Sequence, residues 1–415
     1  MARILYLHQH FSTPEGATAT RSYAFARALM QAGHQVTLAC GQWQGAVTGL
    51  AGPFRHGQRS GRVSGFEVME FAIPCGNALG QAARIAAFLR YALRATRIAA
   101  RPGWDLVIAS STPLTVALPA LLARRWRATP FLFEIRDPWP ELPDAMGLRT
   151  PGLRGAMERL ARAACRQASV VVALTEGMGC TALARGTPPE RLHIIGQGCD
   201  LDLFGPHIAP WRPDVAGSAE VLAVYAGAHG RANGLYLLLE AAALLQQAGE
   251  RRVRLLLVGE GSEKLALMAD ATGRNLGNLN FMDPMPKGEL ARLLAGSQIG
   301  LLCLAPVPEF AEWTAPNKLM DYLAAGRPVL SNVPGAAARL LSAGQCGETR
   351  PDAAGLAQAL AHMAAQPAHR EAMGLAARRL AERGHDRRLL AARFVAVVEA
   401  ALSQGAVAKR GLTRA

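Results

Sequence analysis

Residues 205–220 read GPHIAPWRPDVAGSAE, and the fold turns on this stretch. It holds three prolines and shows no apolar periodicity, which is the composition of a linker. Upstream, short β-branched or Leu-rich runs at Arg3–Leu7, Gln35–Ala39, Asp105–Ala109, Phe131–Asp137, Ser169–Leu174 and Leu192–Ile195 alternate with helix-period segments. In one such segment, Thr20–Ala32, the residues Tyr23, Ala26, Leu29 and Met30 share a face and Gly33 stops the helix. Downstream the alternation restarts with Val221–Ala226, Val253–Val258, Leu279–Met282, Ile299–Leu304 and Pro328–Asn332. Each half therefore reads as a βαβ series, hence a parallel sheet covered on both faces. The expected architecture is α/β, with two Rossmann-like, doubly wound lobes facing across a cleft: residues 1–204, a linker at 205–220 and residues 221–385. A C-terminal helix at 386–403 is expected to cross back to the first lobe, followed by a loose tail at 404–415. Open parallel sheets bind ligands beyond the C-terminal ends of their strands, so the cleft is the expected site.

Composition limits the classes of function. A chain of 415 residues exceeds what one core usually organises, and 50% hydrophobic with 18% charged residues excludes a disordered or collagenous protein. No apolar run reaches the ~18 residues of a spanning helix, and Ile4–Leu7 is too short for a signal-peptide core, so a cytosolic location is expected. The seven cysteines are widely spaced and read as reduced, mostly buried small side chains. The net charge is +14, and residues 1–200 carry 22 Arg against 12 acids, so the excess sits mainly in the first half. Nucleic acid, anionic lipid and diphosphate compounds would all suit such a lobe. Nucleic acid is disfavoured by the lack of zinc-finger spacing or an aromatic RNA-binding motif, with only 6% aromatic residues for stacking.

Four stretches could carry chemistry. After the first strand, HQHFSTPEGATATRS places its first glycine only at Gly16, which argues against a dinucleotide fingerprint. The small-residue loop Gly16–Thr20 ahead of Arg21 is either a phosphate site at a helix N-terminus or a capped helix start. The strand Phe131–Asp137 ends in FEIRDPWPELPDAMG, where Glu134, Arg136 and Asp137 either face a cleft or pair with one another, and Trp139 between prolines forms a ledge for a substrate ring. In the second half, YAGAHGRANGL offers Gly227, Gly230, Gly234, His229 and Arg231, and VGEGS offers Gly259 and Glu260. Both are glycine turns between a strand and a helix, suited to a nucleotide or simply to a tight connection. Residues 309–332, EFAEWTAPNKLMDYLAAGRPVLSN, place Pro316 in a helix's first turn, with Asn317 and Lys318 at its N-terminal end and Asp321 a turn further in. Free N–H groups, an ammonium and a carboxylate at one helix end are what a diphosphate and a ribose diol need.

Taken together, YLHQHFSTPEGATATRSYAFARAL, FEIRDPWPELPDAMG, VYAGAHGRANGL, VGEGSEK and PNKLMDYLAAGRPVL resemble the retaining glycosyltransferases of family 4, of GT-B architecture. The resemblance is to the bacterial subgroup that transfers aminosugars of the N-acetyl-L-fucosamine type during surface polysaccharide synthesis, and it runs over nearly the whole chain. It implies that two acidic residues with seven between them flank the donor. The second, which binds ribose, falls on Asp321; the first falls on Trp313, leaving Glu312 or Glu309 to serve. The family's basic residues at the donor diphosphate fall on Ala228 and Asn233, leaving His229, Arg231 and Lys318 as replacements, while its acceptor-side His-Asp pair falls on Arg136 and Asp137. The resemblance thus assigns Asp137, Glu312 and Lys318 to catalysis. Gly16, His229, Arg231, Gly259, Glu260, Asn317, Lys318 and Asp321 would bind the donor, and Arg21, Glu134, Arg136 and Asp137 would line the acceptor side. Asp200-Leu-Asp202 spells a metal-binding dicarboxylate, yet it sits in a segment like the family's interlobe stretch, so neither metal nor cofactor is expected.

The reaction so implied moves a sugar from a nucleotide diphosphate, a UDP-sugar in the first instance, to a glycan or polyprenyl-diphosphate-linked acceptor. The alternatives are a sugar-nucleotide epimerase of the same fold and a basic nucleic-acid-binding protein. Residues 81–103 carry Arg90, Arg94, Arg97 and Arg101 at helical spacing beside Leu89, Leu93 and Ile98, and residues 121–127 add Arg124, Arg125, Trp126 and Arg127. These segments are either ordinary basic surface helices or a peripheral contact with the anionic inner face of the cytoplasmic membrane.

Overall fold

The structure is a computed structural model that describes residues 1–16, 18, 20–76, 79–145 and 151–412. Ala17 and Ala19 of the small-residue loop, and Met146 and Gly147 at the end of the FEIRDPWPELPDAMG stretch, lie outside the described residues. The chain forms two compact units, one of residues 1–196 and 388–415, the other of residues 197–387.

The first unit is built on an eight-stranded sheet: β1 (Arg3–Leu7), β2 (Gln35–Trp43), β3 (Gln58–Val63), β4 (Phe66–Cys75), β5 (Leu106–Ser110), β6 (Phe131–Ile135), β7 (Val170–Ala173) and β8 (Leu192–Ile194). Their spatial order is β3-β4-β2-β1-β5-β6-β7-β8, and every pair is parallel except β3 with β4. The β3–β4 hairpin was not expected. Its turn is Ser64-Gly65, both at positive φ (48° and 96°) as a two-residue hairpin turn requires, but QRSGRV lacks the apolar content by which the other strands are recognised.

Helix Arg21–Gln31 lays Phe25, Ala26 and Leu29 on the sheet and is followed by Gly33 at φ 87°. The long C-terminal helix, Arg387–Leu412, adds Leu390, Phe394 and Val398 to the same core, with the Phe394 ring stacked 4.3 Å from Phe25. Helical structure continues to Leu412, where a tail was expected from residue 404, and residues 413–415 lie outside the described residues.

The second unit holds β9 (Val221–Ala226), β10 (Val253–Val258), β11 (Leu279–Met282), β12 (Ile299–Leu302), β13 (Val329–Ser331) and β14 (Gly347–Thr349), all parallel, in the order β11-β10-β9-β12-β13-β14. Side chains of β9 alternate between two cores: Leu222, Val224 and Ala226 face one, Val221, Ala223 and Tyr225 the other. Burial on both faces explains why these strands read as continuous apolar runs.

The expected linker does not separate the units. The chain crosses between them at residues 196/197 and again at 387/388. Residues 205–220 instead pack on the second unit: Trp211 N–H donates to Arg292 O at 2.9 Å, and the Arg212 guanidinium donates to Gly296 O at 2.8 Å and Gly217 O at 2.9 Å. Prolines marked an irregular segment correctly, but irregular backbone whose polar groups are bonded to one body moves with that body.

In both sheets the strand order reverses direction beside the first strand of the unit, between β1 and β5 and between β9 and β12. A crevice forms at such a reversal beyond the C-terminal strand ends, and these two places hold the residues of interest.

Candidate functional site

In the second unit the segment after β9 runs Gly227-Ala-His-Gly-Arg-Ala-Asn-Gly234. It packs backbone to backbone against the turn after β10. A side chain on Gly259 would stand 1.9 Å from Gly227 O, and one on Gly234 would stand 2.8 Å from Ala305 Cα. Gly259, expected at the donor, is therefore required by the contact between the two turns. His229 N–H donates to Glu260 O at 2.9 Å and His229 O accepts from Glu263 N–H at 2.9 Å, which locks the turns together. The imidazole of His229 is fully buried between Tyr225 and Phe281, with neither ring nitrogen hydrogen-bonded. Burial pulls its pKa down to about 4, helped by the neighbouring Lys264, so the ring is neutral at pH 7.

Lys318 enters the same place from the first turn of helix Asn317–Ala324. Its Nζ donates to Tyr225 Oη at 2.6 Å and to Asn233 Oδ1 at 3.0 Å, and lies 4.0 Å from the centroid of the Tyr225 ring. Both acceptors are neutral, and no carboxylate among the described residues lies within ion-pair distance of this amine. Burial lowers its pKa to about 7, opposed only by the nearby Cys303 thiol. A half-buried ammonium in such a place is ordinarily paired with an anion. This one, held by two neutral acceptors, has a third N–H to give and no anion beside it.

Several expected contacts are engaged elsewhere. Lys287 Nζ donates to Asp321 Oδ2, both side chains being buried, so the carboxylate expected to bind ribose is held in an ion pair at the base of its helix. Burial pushes the Asp321 carboxyl up while Lys287 works against that shift. Glu312 is bidentate with Arg339, at 2.8 Å for each contact. The exposed Glu260 accepts from Lys264 Nζ at 3.3 Å and from Gly261 N–H at 3.1 Å. Arg231 is exposed on the turn, and Asn317 begins the helix of Lys318. Past the ends of β10 and β11 lies a cavity of about 750 Å³ lined by Glu260, Lys264, Phe281, Met282, Asp283, Met285 and Glu289 among others. Asp200 of the suspected metal motif accepts from Arg387 Nε, and among the described residues no cluster of three metal-ligating side chains occurs.

The first unit has its own polar cluster. Arg136 Nη1 lies 2.6 Å from His8 Nε2; because arginine only donates, that nitrogen accepts, and the His8 proton resides on Nδ1, 2.7 Å from Ser22 Oγ. Burial and the Arg136 charge hold His8 well below the usual histidine range, in agreement with a neutral ring. Asp137 Oδ2 accepts from Thr112 Oγ1. Next to them the His10 ring packs on Trp43, tilted by 31° with centroids 3.8 Å apart, and the side-chain amide of the fully buried Gln9 has no hydrogen-bond partner.

Arg21 and Glu134 correct an expectation. They are almost wholly buried and bonded to each other at 2.9 Å. Arg21 also donates to Ile195 O at 2.7 Å and to Gly196 O, and Ser110 Oγ donates to Glu134 Oε2 at 2.5 Å. Burial alone would raise the Glu134 pKa, but the Arg21 and Arg136 charges hold it low. This pair ties helix Arg21–Gln31 to the ends of β5, β6 and β8 and offers nothing to an acceptor. Gly16 is likewise confined, since a side chain there would meet Ser12 Oγ at 2.2 Å.

Sequence reading missed Tyr225, Lys287, His8, Gln9 and the His10–Trp43 stack. The signal available for Tyr225 was its place one residue before the end of β9; for Lys287 nothing in the sequence links it to Asp321, 34 positions away.

Residues 16–198 match the family model of the glycosyl transferase 4-like domain, and residues 220–366 match that of the glycosyl transferases group 1. The chain is thus a glycosyltransferase carrying both domains, one in each unit, and belongs to the GT-B class. Solved structures share the fold at low identity. A sucrose-phosphate synthase from Thermosynechococcus elongatus superposes with a TM-score of 0.75 at 16% identity, covering 97% of this chain and 100% of that one. HepE from Anabaena, solved with UDP and glucose, gives 0.67 at 16% identity over 96% and 100%. WaaG, a glycosyltransferase involved in lipopolysaccharide biosynthesis, gives 0.66 at 16% identity over 94% and 98%. No curated protein matches the sequence.

Proposed function

We propose that this enzyme transfers a sugar, of the N-acetylated aminosugar class, from a UDP-linked donor to a glycan or polyprenyl-diphosphate-linked acceptor, with retention of anomeric configuration and without a metal. The observation that carries this reading is Lys318, an amine held by two neutral acceptors at the strand-order reversal of the second unit, with no anion beside it. A diphosphate supplies that anion. The cavity past β10 and β11, with Phe281, Met282 and Met285 on its wall, offers a base apolar surface. HepE has been solved with UDP-glucose, which favours uridine among the nucleotides, and WaaG's part in lipopolysaccharide biosynthesis favours an envelope polysaccharide as the destination.

In this reading the bond from the anomeric carbon to the β-phosphate oxygen breaks and its electron pair leaves with UDP. The acceptor hydroxyl bonds to the anomeric carbon on the same face and passes its proton to the departing phosphate. No enzymic nucleophile takes part. Lys318 meets charge that grows on the leaving diphosphate, so it favours the transition state over bound donor. Asp137, held by Thr112, orients the acceptor, and Arg231 adds an exposed cation at the turn. The reaction is placed on the cytoplasmic side, where nucleotide sugars are available.

A thermal-shift panel of UDP, GDP and TDP tests the donor assignment. UDP should raise the melting temperature of the wild type, since a ligand bound only by the folded state stabilises it, and should do so far less for Lys318→Met. A shift from none of the three, or an equal shift in the variant, would exclude the reading. Incubation with UDP-sugar alone separates transfer from epimerisation: release of a stereoisomer without acceptor would favour the epimerase.

A further inference from the structure

Between residues 71 and 133 the sequence has eight arginines, no lysine, and Asp105 as the sole acidic residue. Asp105 is spoken for by the backbone N–H of Arg3 at 2.8 Å. None of the eight arginines has a carboxylate partner among the described residues, whereas Arg21, Arg59, Arg154, Arg162 and Arg185 of the same unit all do. The structure gathers these unpaired charges. Helix Gln81–Ala99 buries Phe88, Tyr91, Ala95 and Ile98 and turns outward a stripe that includes Leu89, Arg90, Leu93 and Arg97. At its C-terminal end Arg127 Nε donates to Ala100 O at 2.9 Å, bringing alongside the exposed run Arg124-Arg125-Trp126-Arg127 from the end of helix Ala117–Arg127. Leu89, Leu93 and Trp126 are 48%, 66% and 55% exposed. Single exposed leucines are ordinary, but two on one stripe, interleaved with uncompensated arginines and joined by a tryptophan, form an amphiphilic surface.

We infer that this face of the first unit is a docking surface for an anionic lipid bilayer. Its charge complements acidic headgroups, which attract basic side chains held near the surface. Its leucines and tryptophan enter the headgroup boundary, where Trp side chains and arginine stems are well accommodated. Nucleic acid would use the charge but leave Leu89 and Leu93 without a function. The attachment is peripheral: among the described residues no helix is long and apolar enough to cross a membrane. This inference stands apart from the donor chemistry, because none of its residues belongs to the second unit.

The test is cosedimentation of the full chain with vesicles of phosphatidylcholine alone and of phosphatidylcholine mixed equally with phosphatidylglycerol. The wild type should pellet with the mixed vesicles and stay in solution with the neutral ones. Two double variants follow, Leu89→Gln with Leu93→Gln, and Arg90→Glu with Arg97→Glu. All four side chains are solvent-facing, so circular dichroism and melting temperature should be unchanged while binding to the mixed vesicles falls about tenfold or more in each. The inference is overturned if the wild type ignores the mixed vesicles. It is equally overturned if the leucine variant binds them as well as the wild type, or if duplex DNA competes fully for the surface.

Discussion

At the residue scale, the chemistry turns on which charges have partners and which do not. Lys318 has none. Its amine titrates near pH 7, so the charged form that a diphosphate prefers is lost as the pH rises, and UDP affinity measured by calorimetry should weaken steadily above pH 7. Binding should take up protons from the buffer in that range, and Lys318→Met should abolish the uptake along with most of the affinity. In the unliganded protein the sign reverses. A lysine whose folded pKa lies below its unfolded value leaves the folded state with fewer protons above pH 7, so this group makes stability rise between pH 7 and its unfolded pKa near ~10.4. Arg21 and Glu134 show the opposite case, a fully paired couple. Glu134→Gln should leave an uncompensated buried guanidinium and cost about 3–5 kcal/mol in urea unfolding. Because the folded pKa of Glu134 is depressed, its contribution is present above the unfolded value and is lost as the pH falls through the folded one.

At the element scale, contacts between turns and the placing of whole helices decide what the fold tolerates. Gly259→Ala should fail to pack, because the new methyl would fall 1.9 Å from Gly227 O; the expected outcome is a lower melting temperature with loss of UDP binding, since the turn behind Lys318 must move. Phe394→Ala removes the ring that stacks on Phe25 and should destabilise the first unit by about 3–5 kcal/mol. Hydrogen exchange should then show faster opening of β1 and helix Arg21–Gln31 but not of β9 or β10. The same distinction explains what was legible beforehand. Strands buried on both faces, such as β5 and β9, announce themselves by runs like LVIAS and VLAVYA. The edge strand β3 does not, because QRSGRV gains its place from pairing with β4 rather than from its own composition. Candidate site residues were legible by type and by position after a strand. Their state was not: sequence offers no way to see that Arg21 and Glu134 pair across 113 positions, that Lys287 claims Asp321, or that Tyr225 and Asn233 hold Lys318.

At the scale of the whole molecule, two sheets with separate cores, parallel but for the β3–β4 hairpin, share one chain that crosses between them twice. Each sheet reverses its strand order once, and each reversal gathers a different chemistry: neutral histidine, arginine and aromatic surface in the first unit, an amine held only by neutral acceptors in the second. The proposed division into acceptor and donor functions rests on that difference. On that proposal, substitutions in the first unit such as Asp137→Ala should lower turnover while leaving UDP affinity intact, and substitutions around Lys318 should lower both. The most direct test of the account is a crystal structure of the chain with UDP. The account predicts the β-phosphate within hydrogen-bonding distance of Lys318 Nζ, with Tyr225 and Asn233 still holding the amine and the base toward Met282 and Met285. A diphosphate bound away from Lys318, or gripped by a metal ion in its stead, would contradict it.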